Sequence, residues 1–121
     1  MPRFLVAVLA LVTLAACGNA KKNEFETEMK FYRQAESALL IKGCTLLEKS
    51  AEEISLECPN VTKDSSTGSL ENTLRDYVTR GATVLEKDGA GEKKFLTEDE
   101  RVRIQRKIAL ANKIRGAIPT R

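Results

Sequence analysis

Apolar and polar positions alternate along this chain in blocks of changing period. Phe4 to Leu14 is apolar apart from Thr13. From Glu24 to Lys42 the apolar positions Phe25, Met29, Tyr32, Ala35 and Leu39 recur at steps of four, three, three and four, which lines one face of a helix. Glu24, Glu26 and Glu28 suit the positive end of its dipole, and Gly43 is a C-terminal stop. The texture changes between Cys44 and Pro59, where Leu46, Leu47, Ile54 and Leu56 flank the polar centre Lys49 to Glu53. A β-hairpin fits. Setting Cys44 opposite Cys58 puts Leu46 opposite Leu56 and Glu48 opposite Ile54, with Cys44, Leu46, Ile54, Leu56 and Cys58 on one face. The Glu and Ala content of the same stretch also permits a second helix, and both readings stand at this point.

Asn60 to Gly68 is polar, rich in Ser and Thr and without period, so it reads as a loop, after which Ser69 caps a helix from Leu70 to about Lys87. Its stripe is Leu70, Leu74, Tyr77, Val78, Gly81, Val84 and Leu85. Glycine inside a helix costs up to ~1 kcal/mol relative to alanine. On the buried face, Gly81 therefore predicts a close helix crossing. Asp88 to Lys94, with Gly89 and Gly91, reads as a flexible turn. Thr97 and Glu100 have the spacing of a capping box, opening a last helix that runs to about Gly116 with Ile104, Ile108, Ala111, Ile114 and Ile118 inward, until Pro119 stops it. The expected fold is α+β and mostly helical, with three amphipathic helices and a disulfide-closed hairpin after the first. The alternative is an all-α bundle.

The N-terminal block has the form of an export signal, with Arg3 ahead of an apolar run too short to span a bilayer. It ends Leu14, Ala15, Ala16, Cys17, which resembles the lipobox of bacterial lipoprotein precursors over residues 1–18. The resemblance implies cleavage between Ala16 and Cys17, and a covalent diacylglycerol plus an acyl chain on Cys17. Several acyl chains, at about 0.8 kcal/mol per buried CH₂, anchor a domain firmly to a membrane. Gly18, standing where an inner-membrane retention aspartate would be, implies the periplasmic face of the outer membrane in a Gram-negative cell. The expected division is a signal at 1–16, a lipidated tether at 17–23 reaching roughly 20 Å when extended, and a single domain at 24–121. With Cys17 lipidated, Cys44 and Cys58 are the two thiols left in an oxidising compartment. Their pairing closes a loop of about 15 residues and contributes ~3 kcal/mol in the chain-entropy model.

Composition narrows the chemistry. Removing residues 1–16 from the 121-residue chain leaves 105, about 36% of them apolar. The whole chain has four Phe, two Tyr and no Trp. So lean a core needs the staple or burial against a partner. The chain has no His, which removes the commonest general base and metal ligand. Net charge is +3, or +2 without Arg3, far from the basic excess that nucleic-acid binding requires. The two cysteines are too far apart for a C-x-x-C redox pair, and no metal site is expected. Ala90 and Lys93 spoil a calcium loop, the glycines near Lys93 and Lys94 lack phosphate-loop spacing, and S-x-x-K and G-x-S-x-G are missing. Glu52 with Glu53, and Glu98 to Glu100, read as solvated acidic runs. Asn60-Val61-Thr62 is an incidental glycosylation tripeptide. The last helix carries a basic stripe of Arg101, Arg103, Arg106, Lys107, Lys113 and Arg115, a candidate contact for anionic envelope material or an acidic partner. Favourable charge on a solvated face near the helix C-terminus accounts for the same residues. The function expected is a non-enzymatic, lipid-anchored envelope protein that binds a protein partner in an accessory or assembly role. It has no catalytic residues, no cofactor beyond the lipid, no evident small-molecule substrate and no nucleic-acid partner. An inhibitor of an exported enzyme or toxin is the alternative, and a small envelope enzyme a more distant one.

Overall fold

The computed structural model describes residues 2–58, 65–89 and 94–118, with side chains from residues 20–58, 69–89 and 94–118. The elements in order are α1 (Pro2–Ile41), β1 (Thr45–Glu48), β2 (Ile54–Glu57), α2 (Ser65–Gly89) and α3 (Glu98–Ala117). α2 packs against both α1 and α3, and α3 also supports β2. The fold is α+β and mostly helical, with the hairpin directly after the first helix. No helix among the described residues is long and apolar enough to cross a membrane.

α1 is longer than its amphipathic face. Residues 17–23, expected as an extended tether, continue the helix without a break. Ala15, Ala16, Ala20, Lys21 and Lys22 are good helix formers, and Gly18 alone does not stop them. At about 1.5 Å per residue, Gly18 to Asn23 then covers roughly 9 Å instead of 20 Å. The side chains of Ala16 and Cys17 lie outside the described residues. The far end of α1 is closed by Gly43 at φ 96°, a left-handed conformation that glycine adopts without steric cost. There the Cys44 N–H donates to the Leu39 carbonyl and the Gly43 N–H to that of Leu40, both at 3.0 Å, which is a Schellman cap.

The hairpin pairs in the register expected, with Thr45 opposite Glu57, Leu46 opposite Leu56, Leu47 opposite Ser55 and Glu48 opposite Ile54. The helical reading of this stretch is excluded. Cys44 and Cys58 are bonded just beyond the last rung, with Cα atoms 4.0 Å apart. Alternation puts Cys44, Leu46 and Leu56 against the core and leaves Leu47 outside.

α2 starts at Ser65, a turn before the expected cap at Ser69, whose carbonyl instead accepts the Thr73 hydroxyl at 2.8 Å. Ser and Thr disfavour a helix interior only weakly, so Leu70 and Leu74, once packed, carry the helix upstream through Gly68. Residues 60–64 of the expected loop and 90–93 of the expected turn lie outside the described residues. The core is aliphatic and aromatic, built on Phe25, Tyr32, Ala35, Leu39, Leu70, Leu74, Tyr77, Val84, Ile104, Ala111 and Ile118. Gly81 is where three helices meet. A Cβ placed there would collide with Cγ2 of Ile108 and stand 3.2 Å from Cε1 of Tyr32. The capping box at Thr97 and Glu100 is complete, and α3 ends at Ala117 with Ile118 buried behind it.

Candidate functional site

Two helix faces, one from α1 and one from α3, bring polar side chains into the apolar interior. Tyr32 and Glu36 are one turn apart on α1, and Arg103 and Lys107 are one turn apart on α3. Tyr77 enters from α2 and Glu48 from the inward face of β1. The Tyr77 hydroxyl donates to Glu36 Oε2 at 2.8 Å, and the two tyrosine oxygens are 2.7 Å apart. Each phenol has one proton, so Tyr32 is the donor to Tyr77. The two rings stack with centroids 5.0 Å apart. Lys107 Nζ donates to Glu36 Oε2 at 3.2 Å and to Glu48 Oε2 at 3.4 Å, and it lies 5.5 Å from the Tyr32 ring centroid. Arg103 completes the chain, with Nη1 3.5 Å from Glu48 Oε1 and Nε 2.7 Å from Asp99.

Burial pushes both phenols above their ordinary range, and the Glu36 carboxylate beside them acts in the same direction. Both therefore stay protonated at neutral pH and serve as hydrogen-bond donors. A cleft of about 200 Å³ opens over this network, bordered by Met29, Arg33, Glu36, Glu48, Glu100, Arg103 and Lys107. The buried Lys107 is already bound to Glu36 and Glu48, and Arg103 to Glu48, so the arrangement ties α1, α2, α3 and the hairpin together. Among the described residues no cluster of three or more His, Cys, Asp or Glu side chains is placed to hold a metal ion.

A second polar node lies at the C-terminal end of α2. Asp88 is fully buried. Its Oδ1 accepts the backbone N–H groups of Phe95 at 2.6 Å and Leu96 at 2.8 Å, and Oδ2 accepts from Arg101. Burial alone would raise this carboxyl, but the two backbone donors and the guanidinium more than offset it and hold it below the usual carboxylate value. A residue expected to begin a flexible turn thus anchors the α2–α3 connection.

The six cations of the expected basic stripe do not share one surface. Arg101 is bound to Asp88, Arg103 to Asp99 and Glu48, and Lys107 is buried between Glu36 and Glu48. Arg106 and Lys113 are exposed, and Arg115 is half-buried. Sequence reasoning missed Glu36, Glu48 and Asp88 as partners and treated Tyr32 and Tyr77 as apolar. The available signal was a tyrosine on each of two buried stripes with a carboxylate one turn beyond the first. No protein-family model, curated protein or solved structure matches this chain.

Proposed function

We propose that this chain is a membrane-anchored bacterial lipoprotein, held through lipid on Cys17, whose folded body binds a protein partner in the cell envelope in an accessory or assembly role without catalysis of its own. The observation that carries the reading is the run Leu14-Ala15-Ala16-Cys17 ahead of a small body. Its remaining two cysteines are joined in a disulfide, the pairing that an exported compartment sustains. Placement at the periplasmic face of the outer membrane rests on Gly18. A binding role is favoured over chemistry because Lys107 and the two carboxylates beside it are engaged with one another and the phenols are held protonated.

The test is acyl labelling of the full-length chain in cells, followed by in-cell cross-linking and mass spectrometry. The expected result is lipid on the wild type, none on Cys17→Ala, and one envelope protein recovered only with the lipidated form. Absence of lipid on the wild-type chain overturns the anchor, and recovery of the same proteins with and without lipid overturns the envelope partner.

A further inference from the structure

Arg106 and Lys113 stand two turns apart on α3, flanking a shallow groove of about 260 Å³ whose floor is Ile54 of β2 with Ala109 and Leu110. No carboxylate lines this groove, and α3 has no acidic residue after Glu100. Among the described residues neither cation forms an ion pair, whereas Arg101, Arg103 and Lys107 each do. An apolar floor between two unneutralised cations is the complement of an apolar side chain between two carboxylates.

We propose that this groove docks an extended acidic segment of a protein partner, with an apolar side chain on Ile54, Ala109 and Leu110 and carboxylates on Arg106 and Lys113. Seven helical residues separate the cations by about 10 Å along α3. Three residues of extended chain span a similar ~10 Å, so acids three or four positions apart fit. Location favours a protein over a lipid headgroup. The Lys107–Glu36 ion pair sets the groove level with Glu36, which is about 24 Å along α1 from Ala20 at 1.5 Å per residue. Exposed charges act over ~8 Å at physiological ionic strength, so with α1 standing upright on a membrane at its Ala20 end the groove is out of range. The inference rests on the partner-binding, lipid-anchored reading and gives the partner's chemistry.

The experiment places a photo-cross-linking amino acid at Ala109 of the full-length chain in cells, with Ala82 on the exposed side of α2 as a second position. The expected result from position 109 is an adduct mapped by mass spectrometry to a carboxylate-bearing segment of one protein. Its yield should fall more than tenfold with Arg106→Glu and Lys113→Glu together and survive Arg106→Lys. A synthetic peptide of the captured segment should then bind the full chain and weaken as salt rises. Four adduct outcomes overturn the groove proposal: phospholipid only, a second copy of this chain, a segment without acids, or a yield indifferent to the double reversal. A protein adduct at 82 but none at 109 removes the groove and leaves partner binding standing. Protein adducts at neither position remove both.

Discussion

The two buried polar nodes differ in how they are assembled and therefore in how they fail. Asp88 is satisfied within 13 residues of itself, by two backbone N–H groups and Arg101, so it closes a local connection. The Tyr32–Tyr77–Glu36–Lys107–Glu48 chain draws on all three helices and the hairpin, with partners up to 71 residues apart. The first node fixes a corner. The second holds the whole body together, and losing one member strands groups on other elements.

Lys107→Ala should be the largest single break, because it leaves Glu36 and Glu48 without their shared cation. Removing one partner of a buried ion pair costs several kcal/mol, and with both carboxylates partly exposed a loss of about 3 kcal/mol is expected in urea unfolding. Lys107→Met should not restore it, since volume without charge leaves Glu36 with only the Tyr77 hydroxyl and Glu48 with only Arg103. Asp88→Asn comes next, at about 2 kcal/mol, from weakened charge-assisted hydrogen bonds. Tyr77→Phe removes one proton and one acceptor for about 1 kcal/mol. Arg106→Ala with Lys113→Ala should change stability by no more than about 0.5 kcal/mol, since neither is paired in the fold. A larger loss would mean that these residues belong to the scaffold and not to a docking surface.

Titration sharpens the same contrast, because the nodes weaken at opposite ends of the pH scale. Asp88 is held below its ordinary 3.8, so its contribution is complete above that value and is lost as pH falls toward the folded value. The phenols are held above their ordinary 10.0, so their contribution is complete below pH 10 and declines as pH rises beyond it. Unfolding midpoints across pH should show the acid limb flattened by Asp88→Asn and the alkaline limb flattened by Tyr77→Phe. Each variant should leave the other limb unchanged.

The features legible in the sequence are those set by neighbours along the chain or by strict period. The capping box needs residues three apart, and the hairpin register follows from side-chain alternation once the cysteines are opposed. Gly81 was legible because glycine on an otherwise apolar stripe is costly unless something packs against it. The starts of α1 and α2 were not, since nothing between Leu14 and Glu24, or between Ser65 and Ser69, breaks a helix outright. Nor were the polar nodes. The cations after Glu100 look alike in sequence, yet tertiary pairing takes up Arg101, Arg103 and Lys107 and leaves Arg106 and Lys113 without an ion pair among the described residues.

The unbroken course of α1 through residues 17–23 puts a strut where the sequence suggested a string. A string lets a body turn freely about its point of attachment and sets only a maximum reach. A continuous helix fixes both distance and bearing, because it enters the body carrying Tyr32 and Glu36 in its last turns. Whatever holds the N-terminal end of this helix also aims the far end of the molecule. Breaking the helix near Ala20 with proline should leave the body folded while releasing its aim.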